Sequence, residues 1–408
     1  MALGPKLPLS VRIIPGPRVP ASLVPPVSKS DAIRERILAA LHGAPFHTLG
    51  AREELPRDVR VVEDGLRALA HGDTVHCGDA GAPLRFLLVQ AALIENSTTR
   101  FVGTPRLLER PLQPLLDSLA AALGTRAERT ESGLTLHSPS RAPGPLHFAL
   151  DAAASGQFLS ALLLGGARTP LTVDVAGSIA SEGYVDLTCA WLTAFGHRVS
   201  VSGKRWSVES GSAPFAKAVP ADWSAGAALV PIAWKCGGRV AGLELDSQHP
   251  DASVASVLRE AGLKVTQVGG EVSVTGELAR GFDVDAARCP DAVLTLAAWA
   301  LIAPGTTRIR HVDILRGKES DRLEGVIDLF TRAGGAARTE VSGTLTLLPP
   351  VSVQAFSLQT LGDHRRAMAA AVASVVCAVP VDIDDAACVE KSFPAFFREL
   401  EKAGVSAR

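Results

Sequence analysis

Three short stretches carry most of the side chains able to do chemistry. Residues 362–376 read GDHRRAMAAAVASVV, so Asp363, His364, Arg365 and Arg366 stand at the head of an alanine-rich run with the composition of a buried helix. Burying charge is costly unless it is paired, and two arginines at a helix start oppose the macrodipole. The same placement makes a ready site for an anion. Residues 317–322 read GKESDR and gather Lys318, Glu319, Asp321 and Arg322; the i,i+4 spacing of Lys318 and Arg322 predicts one shared helix face. Residues 289–292 read CPDA and add Asp291. Further cations lie in SKS with Arg34 (Lys29), in ERP (Arg110) and in EKSFP (Lys391), with Arg85 in between. Guanidinium forks suit carboxylates and phosphates, ammonium groups act as point charges, and interleaved carboxylates supply proton transfer. The pattern is that of cofactor-free chemistry on small polyanions.

Other chemistries lack their signatures. There is no GxxxxGK[ST], no GxGxxG, no HExxH and no GxSxG. The six cysteines are scattered without a CxxC pair, so they read as small core residues rather than disulfides or metal ligands. Net charge is −1 and aromatics are 5%, which argues against nucleic acid as a partner. No apolar run approaches the length of a membrane span, and nothing reads as a signal peptide, so a cytoplasmic setting is expected.

Elements that must position these residues recur along the chain. The segments ALG (122–124), AFG (194–196), EAG (260–262), RAG (332–334) and KAG (402–404) each close an amphipathic helix with glycine at the C′ position, at intervals of roughly 70 residues. Each is preceded by an alanine-rich helix with a polar head: SKS, DAG, SGQ, PD or DHRR. Six β-α-β-α-β-β units fit the 408 residues, the first of them shortened with its helix end near Gly72. Three units per domain give an α/β fold of two similar domains, with helices inside and sheets outside. Parallel packing of related helices would bring their polar N-termini to one surface of each domain.

In order and spacing, SKS with Arg34, DAGAPLR, GTPRLLERP, SGQF, ASEGY, CPDA, RGKESDR, GDHRRAM and VEKSFP resemble the 5-enolpyruvylshikimate-3-phosphate synthase family over the whole chain. The related UDP-N-acetylglucosamine enolpyruvyl transferases fit these motifs less well. The resemblance implies an inverse α/β barrel of the enolpyruvyl transferase type. One domain would comprise residues 1–28 with 219–408, the other residues 29–218. It implies transfer of the enolpyruvyl group of phosphoenolpyruvate to the 5-hydroxyl of shikimate 3-phosphate by addition and elimination. No metal or cofactor is implied, and a monomer without macromolecular partners is expected.

By the same resemblance, Lys29, Gly81, Arg110, Gln157, Arg322, Arg365 and Lys391 would hold phosphoenolpyruvate. Lys29, Ser30, Arg34, Ser155, Gln157, Ser181, Tyr184, Asp291 and Lys318 would meet shikimate 3-phosphate. Asp291 would be the base at the attacking hydroxyl, Glu319 the proton donor and acceptor at the methylene carbon, and Lys29 a third catalytic group. Val27, Asp79, Ala82, Gly156 and Ile314 depart from the family pattern. Asp79 replaces an asparagine, and is expected either to weaken anion binding by repulsion, offset by Arg85 or Arg110, or to cap the next helix. Two other readings stay open: an enolpyruvyl transferase for a different acceptor alcohol, and a non-catalytic anion-binding paralogue.

Overall fold

The computed structural model describes residues 10–211 and 217–408. In chain order the elements open with β1 (Val11–Pro15), β2 (Ser22–Leu23), α1 (Lys29–Leu41) and α2 (Arg57–His71). They continue with β3 (Val75–Gly78), α3 (Gly81–Ala92), β4 (Ser97–Gly103), α4 (Pro105–Glu109), α5 (Gln113–Leu123), β5 (Arg126–Thr130) and β6 (Gly133–Ser138). Next come β7 (Leu146–Asp151), α6 (Gln157–Gly165), β8 (Leu171–Ala176), α7 (Gly183–Ala194), β9 (Arg198–Ser202) and β10 (Arg205–Glu209). The following stretch holds α8 (Trp223–Cys236), β11 (Arg239–Ala241), α9 (Val254–Glu260), β12 (Lys264–Val268) and β13 (Glu271–Thr275). After it lie β14 (Asp283–Asp285), α10 (Val293–Ala300), β15 (Thr307–Arg310), α11 (Arg322–Arg332), β16 (Ala336–Thr339) and β17 (Leu345–Leu348). The chain ends with β18 (Phe356–Leu358), α12 (His364–Cys377), β19 (Val381–Ile383), α13 (Phe396–Lys402) and β20 (Val405–Ala407).

Among the described residues, five four-stranded sheets share one plan. In β3-β4-β6-β5 the first strand runs parallel to the second, and the closing hairpin adds antiparallel through its later strand. Sheets β7-β8-β10-β9 and β14-β15-β17-β16 repeat it. A helix must connect the parallel pair, because that crossover cannot be made by a tight turn. The remaining two sheets are completed by the N-terminal segment. β2 lies parallel to β11, with Leu23 opposite Val240. β1 pairs antiparallel with both β19 and β20, Ile13 facing Val381 on one side and Ala407 on the other. Strands such as β7 alternate buried and exposed residues, so each sheet presents one apolar face to helices.

Contacts within the chain define two units. Unit 1 comprises the described residues up to Ser28, Glu53–Pro56 and Pro220–Arg408; unit 2 comprises Lys29–Arg52 and Arg57–Val219. Glu53–Pro56 thus group apart from residues 29–218, which the sequence reading kept whole. In unit 1 the core helices α8, α10 and α12 pack on one another, and their alanines permit close approach; Ala367 to Ala373 of α12 are all 0% exposed. The fold is mixed α/β, with helices backed by small sheets that, among the described residues, remain separate and do not close into a barrel.

The expected shortening of the first repeat is complete for its sheet. After α2 the chain turns at Gly72 (φ 75°) and enters β3 directly, so α1 and α2 have no hairpin of their own. Their connection is instead tied down by buried charge. Arg36 pairs with Glu35 and, at 2.7 Å, with Glu63, and donates to the His47 carbonyl at 3.0 Å. The glycines read as helix stops, Gly124, Gly196, Gly262, Gly334 and Gly404, all have φ between 69° and 100°, where a Cβ is disfavoured. No described helix is long and apolar enough to cross a membrane. The cysteines are free, four of them buried.

Candidate active site

In unit 2 the cations lie on α1 (Lys29 and Arg34), on α3 (Arg85) and at the end of α4 (Arg110). Arg34 is only 3% exposed and is gripped by neutral acceptors: Thr188 Oγ1 at 2.8 Å, the Ser30 carbonyl at 2.7 Å and the Tyr184 carbonyl at 2.8 Å. Its guanidinium also lies over the Phe86 ring at 5.4 Å. Burial draws its pKa down to about 10, against the opposing pull of Asp31. The structure therefore joins Ser30, Arg34 and Tyr184, and adds Thr188, which no motif marked. Lys29 pairs with the buried Asp58 at 3.4 Å.

A second cluster forms at the start of α3. A Cβ added at Gly81 would lie 2.2 Å from Arg110 Nη1 and 2.9 Å from Arg85 Nη1, so both guanidinia rest on this backbone. Arg85 donates to Gln157 Oε1 at 2.7 Å and to the Pro111 carbonyl at 2.9 Å. Gly81, Arg110 and Gln157 are thus gathered around Arg85, a residue noted among the cations but given no ligand role in the sequence reading. Its position four residues after Gly81, one helical turn along α3, was the available signal.

Asp79 has a partner that no motif marked. The N-cap of α3 is Ala80, without a side-chain cap. Asp79 instead forms an ion pair with Arg57 Nη2 at 2.8 Å. Just before α6, Ser155 Oγ accepts the Gln157 N–H at 3.3 Å. Gly156 N–H donates to the Ala180 carbonyl at 3.1 Å, and a Cβ there would meet that oxygen at 2.3 Å. Glycine at 156 lets the segment bearing Ser181 (φ 55°) close on α6. Val27 forms an isolated bridge with Ala221, and Ile314 lies in the 3-10 turn Val312–Leu315.

Unit 1 collects the acids. Arg322, 1% exposed, donates from Nη1 to Asp291 at 2.8 Å, from Nη2 to Glu319 at 2.8 Å and from Nε to Asp363 at 2.9 Å. Burial alone would lower its pKa, yet Asp363, Asp291 and Glu319 carry it well above the ordinary value. Asp363 also caps α12 through the Arg365 N–H at 2.9 Å and accepts from Ser320 Oγ at 3.0 Å. Arg365, again 1% exposed, reaches Asp291 at 3.4 Å and Met368 Sδ at 3.6 Å, while its buried Nε has no hydrogen-bond partner among the described residues. Burial works against its charge, but Asp291 and Asp222 raise its pKa. Asp291 and Glu319 keep side chains 18% and 15% exposed, enough to meet a ligand.

One reading needs correction here. Lys318 and Arg322 do not share a helix face, because Asp321 caps α11 at Arg322 and Lys318 precedes the helix in a bend. The DHRR head is itself buried: Asp363, His364, Arg365 and Arg366 are 0 to 3% exposed. Arg366 serves packing, with Asp328 at 2.7 Å and the Gln359 carbonyl at 2.6 Å. Lys391 is fully buried at the end of a 3-10 turn that packs on α12.

Known proteins resemble this chain over most of its length. The family description EPSP synthase (3-phosphoshikimate 1-carboxyvinyltransferase) matches residues 43–400. A 3-phosphoshikimate 1-carboxyvinyltransferase of Methanopyrus kandleri is 34% identical over 95% of this chain and 97% of its own length. The protein of that name from Cronobacter sakazakii is 30% identical over 98% and 99%. Among solved structures, EPSP synthase from Acinetobacter baumannii superposes with a TM-score of 0.75 at 20% identity, covering 98% of this chain and 99% of that one. The enolpyruvyl transferase NikO from Streptomyces tendae gives 0.70 at 15% identity over 98% of each chain. These two likenesses concern the fold. Matched over most of its length by family and relatives alike, the chain belongs to the EPSP synthase family.

Proposed function

We propose that this chain transfers the enolpyruvyl group of phosphoenolpyruvate to the 5-hydroxyl of shikimate 3-phosphate, releasing phosphate, in the route to aromatic amino acids. The observation that carries the reading is the Arg322 guanidinium with two partly exposed carboxylates, Asp291 and Glu319, on its two Nη donors. A reaction that removes a proton from an alcohol while adding one to a carbon needs two acids in different roles, held together near positive charge.

In this reading Asp291 takes the proton of the 5-hydroxyl as its oxygen bonds to C2 of phosphoenolpyruvate. Glu319 gives a proton to C3, turning the methylene into a methyl group. The tetrahedral adduct then loses phosphate, which departs with the proton that Asp291 had taken, and Glu319 takes a proton back from C3, so both carboxyl groups end as they began. Arg365, whose Nε has no hydrogen-bond partner among the described residues and whose nearest carboxylate is at 3.4 Å, has donors to spare for the substrate carboxylate or phosphate, alongside Arg322 and Lys391. Gly81, Arg110, Gln157 and Lys29 complete the phosphoenolpyruvate contacts, joined by Arg85. Ser30, Arg34, Ser155, Ser181, Tyr184 and Lys318 complete those to shikimate 3-phosphate, with Gln157, Lys29 and Asp291 shared.

The test is phosphate release on mixing the purified protein with both substrates. Release that requires both substrates supports the reading. Release with phosphoenolpyruvate and another alcohol only would redirect it to a different acceptor, and no turnover with any alcohol would leave an anion-binding protein.

A further inference from the structure

The pairing of Asp79 with Arg57 has a consequence for the anion cluster of unit 2. Asp79 precedes Gly81 by two residues, which places their Cα atoms no more than about 7 Å apart. The guanidinia of Arg110 and Arg85 rest on Gly81. A carboxylate this close to two anion-binding arginines would offset part of their charge. Its effect is cancelled by Arg57, the first residue of α2, whose Nη2 lies 2.8 Å from Asp79 Oδ1. Both partners are part-exposed, at 40% and 30%, so the pair contributes little to stability and its field remains open to solvent ions.

We infer that Arg57 is an affinity-determining residue for phosphoenolpyruvate that acts without touching it, by neutralising Asp79 beside the Arg85–Arg110 cluster. The inference rests on the reading that this cluster holds phosphoenolpyruvate. Arg57 and Asp79 act as one unit: removing either alone changes the local charge by one, and removing both restores it.

The experiment is a double-mutant cycle on the whole enzyme. Arg57→Gln should raise the KM for phosphoenolpyruvate about three- to tenfold, with kcat within twofold and the KM for shikimate 3-phosphate unchanged. Arg57→Lys keeps the charge and should stay within about twofold of the parent. Asp79→Asn should lower the KM for phosphoenolpyruvate, and Arg57→Gln combined with Asp79→Asn should return it to the parent value. Raising the salt to about 0.5 M should shrink the Arg57→Gln effect, which a merely structural role would not do. An unchanged KM in Arg57→Gln overturns the inference, as does a double variant as weak as Arg57→Gln alone or an effect indifferent to salt. Arg110→Met is the control on the underlying site. If it leaves the KM for phosphoenolpyruvate unaltered, the cluster reading itself fails; if it raises the KM while Arg57→Gln does not, only the pairing falls.

Discussion

Arg322 in unit 1 and Arg34 in unit 2 are both almost wholly withdrawn from water, at 1% and 3% exposure, yet their surroundings are opposite. Three carboxylates meet Arg322, and its pKa rises well above the ordinary value against the pull of burial. Arg34 meets two carbonyls and a hydroxyl among its hydrogen-bond partners, and burial brings its pKa down to about 10. Arg85 follows Arg34 in drawing on neutral oxygens, from Gln157 and Pro111. The same difference appears at the helix heads. In unit 1, α8, α11 and α12 are capped by Asp222, Asp321 and Asp363; in unit 2, the N-caps of α3 and α6 are Ala80 and Gly156. One unit holds its cations with acids able to move protons. In the other, Arg34 and Arg85 are held by neutral oxygens that leave their positive charge available to a substrate anion, while Lys29 there pairs with Asp58.

The largest expected effect follows from removing the centre of the acid cluster. Arg322→Met leaves Asp291, Glu319 and Asp363 converging on a methionine, and breaking such a buried cluster costs about 3–5 kcal/mol. Thermal melting should fall sharply and activity should vanish. By contrast, Arg34→Met removes a cation whose partners are neutral. The Tyr184 carbonyl keeps Thr188 Oγ1 at 2.9 Å and Ser160 Oγ at 3.3 Å, so a smaller loss of stability is expected. Equal melting temperatures for these two variants would break the comparison.

Next in size, Glu319→Gln and Asp291→Asn should each lower kcat at least about a hundredfold with folding intact, the scale of lost general acid–base catalysis. Steady-state kinetics beside circular dichroism will decide; normal turnover removes the residue from its role. Arg34→Met should instead act on affinity, raising the KM for shikimate 3-phosphate about tenfold or more through loss of a charge-assisted contact.

The smallest effect concerns unit 2 in acid. The His197 Nδ1 accepts the Gly211 N–H at 3.0 Å, and its Nε2 lies 2.9 Å from His42 Nε2. Burial, and then His42, push its pKa from 6.5 to about 4. A histidine kept neutral in the fold stabilises above its unfolded pKa, and that contribution is lost as pH falls from 6.5 towards 4. Denaturant melts of the parent should therefore lose of order 1–2 kcal/mol more than those of His197→Gln over this range. Parallel pH profiles would contradict it.

Much of this was legible in the sequence for physical reasons. Glycine at C′ and an alanine-rich run with a charged head mark helix ends wherever they occur, and the repeat followed from them. Asp291, Glu319, Arg322 and Arg365 stood out because acids and arginines on apolar segments need partners, and they found each other. Contacts made across the chain were hidden. Nothing local shows that β1 closes the last sheet, that Thr188 supports Arg34 or that Arg57 neutralises Asp79. The Lys318 register was misread because the capping aspartate Asp321, three residues before Glu324, reads without the backbone like any other residue of a charged helix.

The central claim, that Glu319 adds and then removes a proton at the methylene carbon, is tested most directly by running the reaction in D2O and measuring the product by mass spectrometry. A methyl group formed with one solvent deuterium returns any of its hydrogens, so the enzyme should place deuterium in the product methylene, and Glu319→Gln should greatly slow both product formation and label uptake. Product that forms in D2O with no deuterium in its methylene would contradict the account.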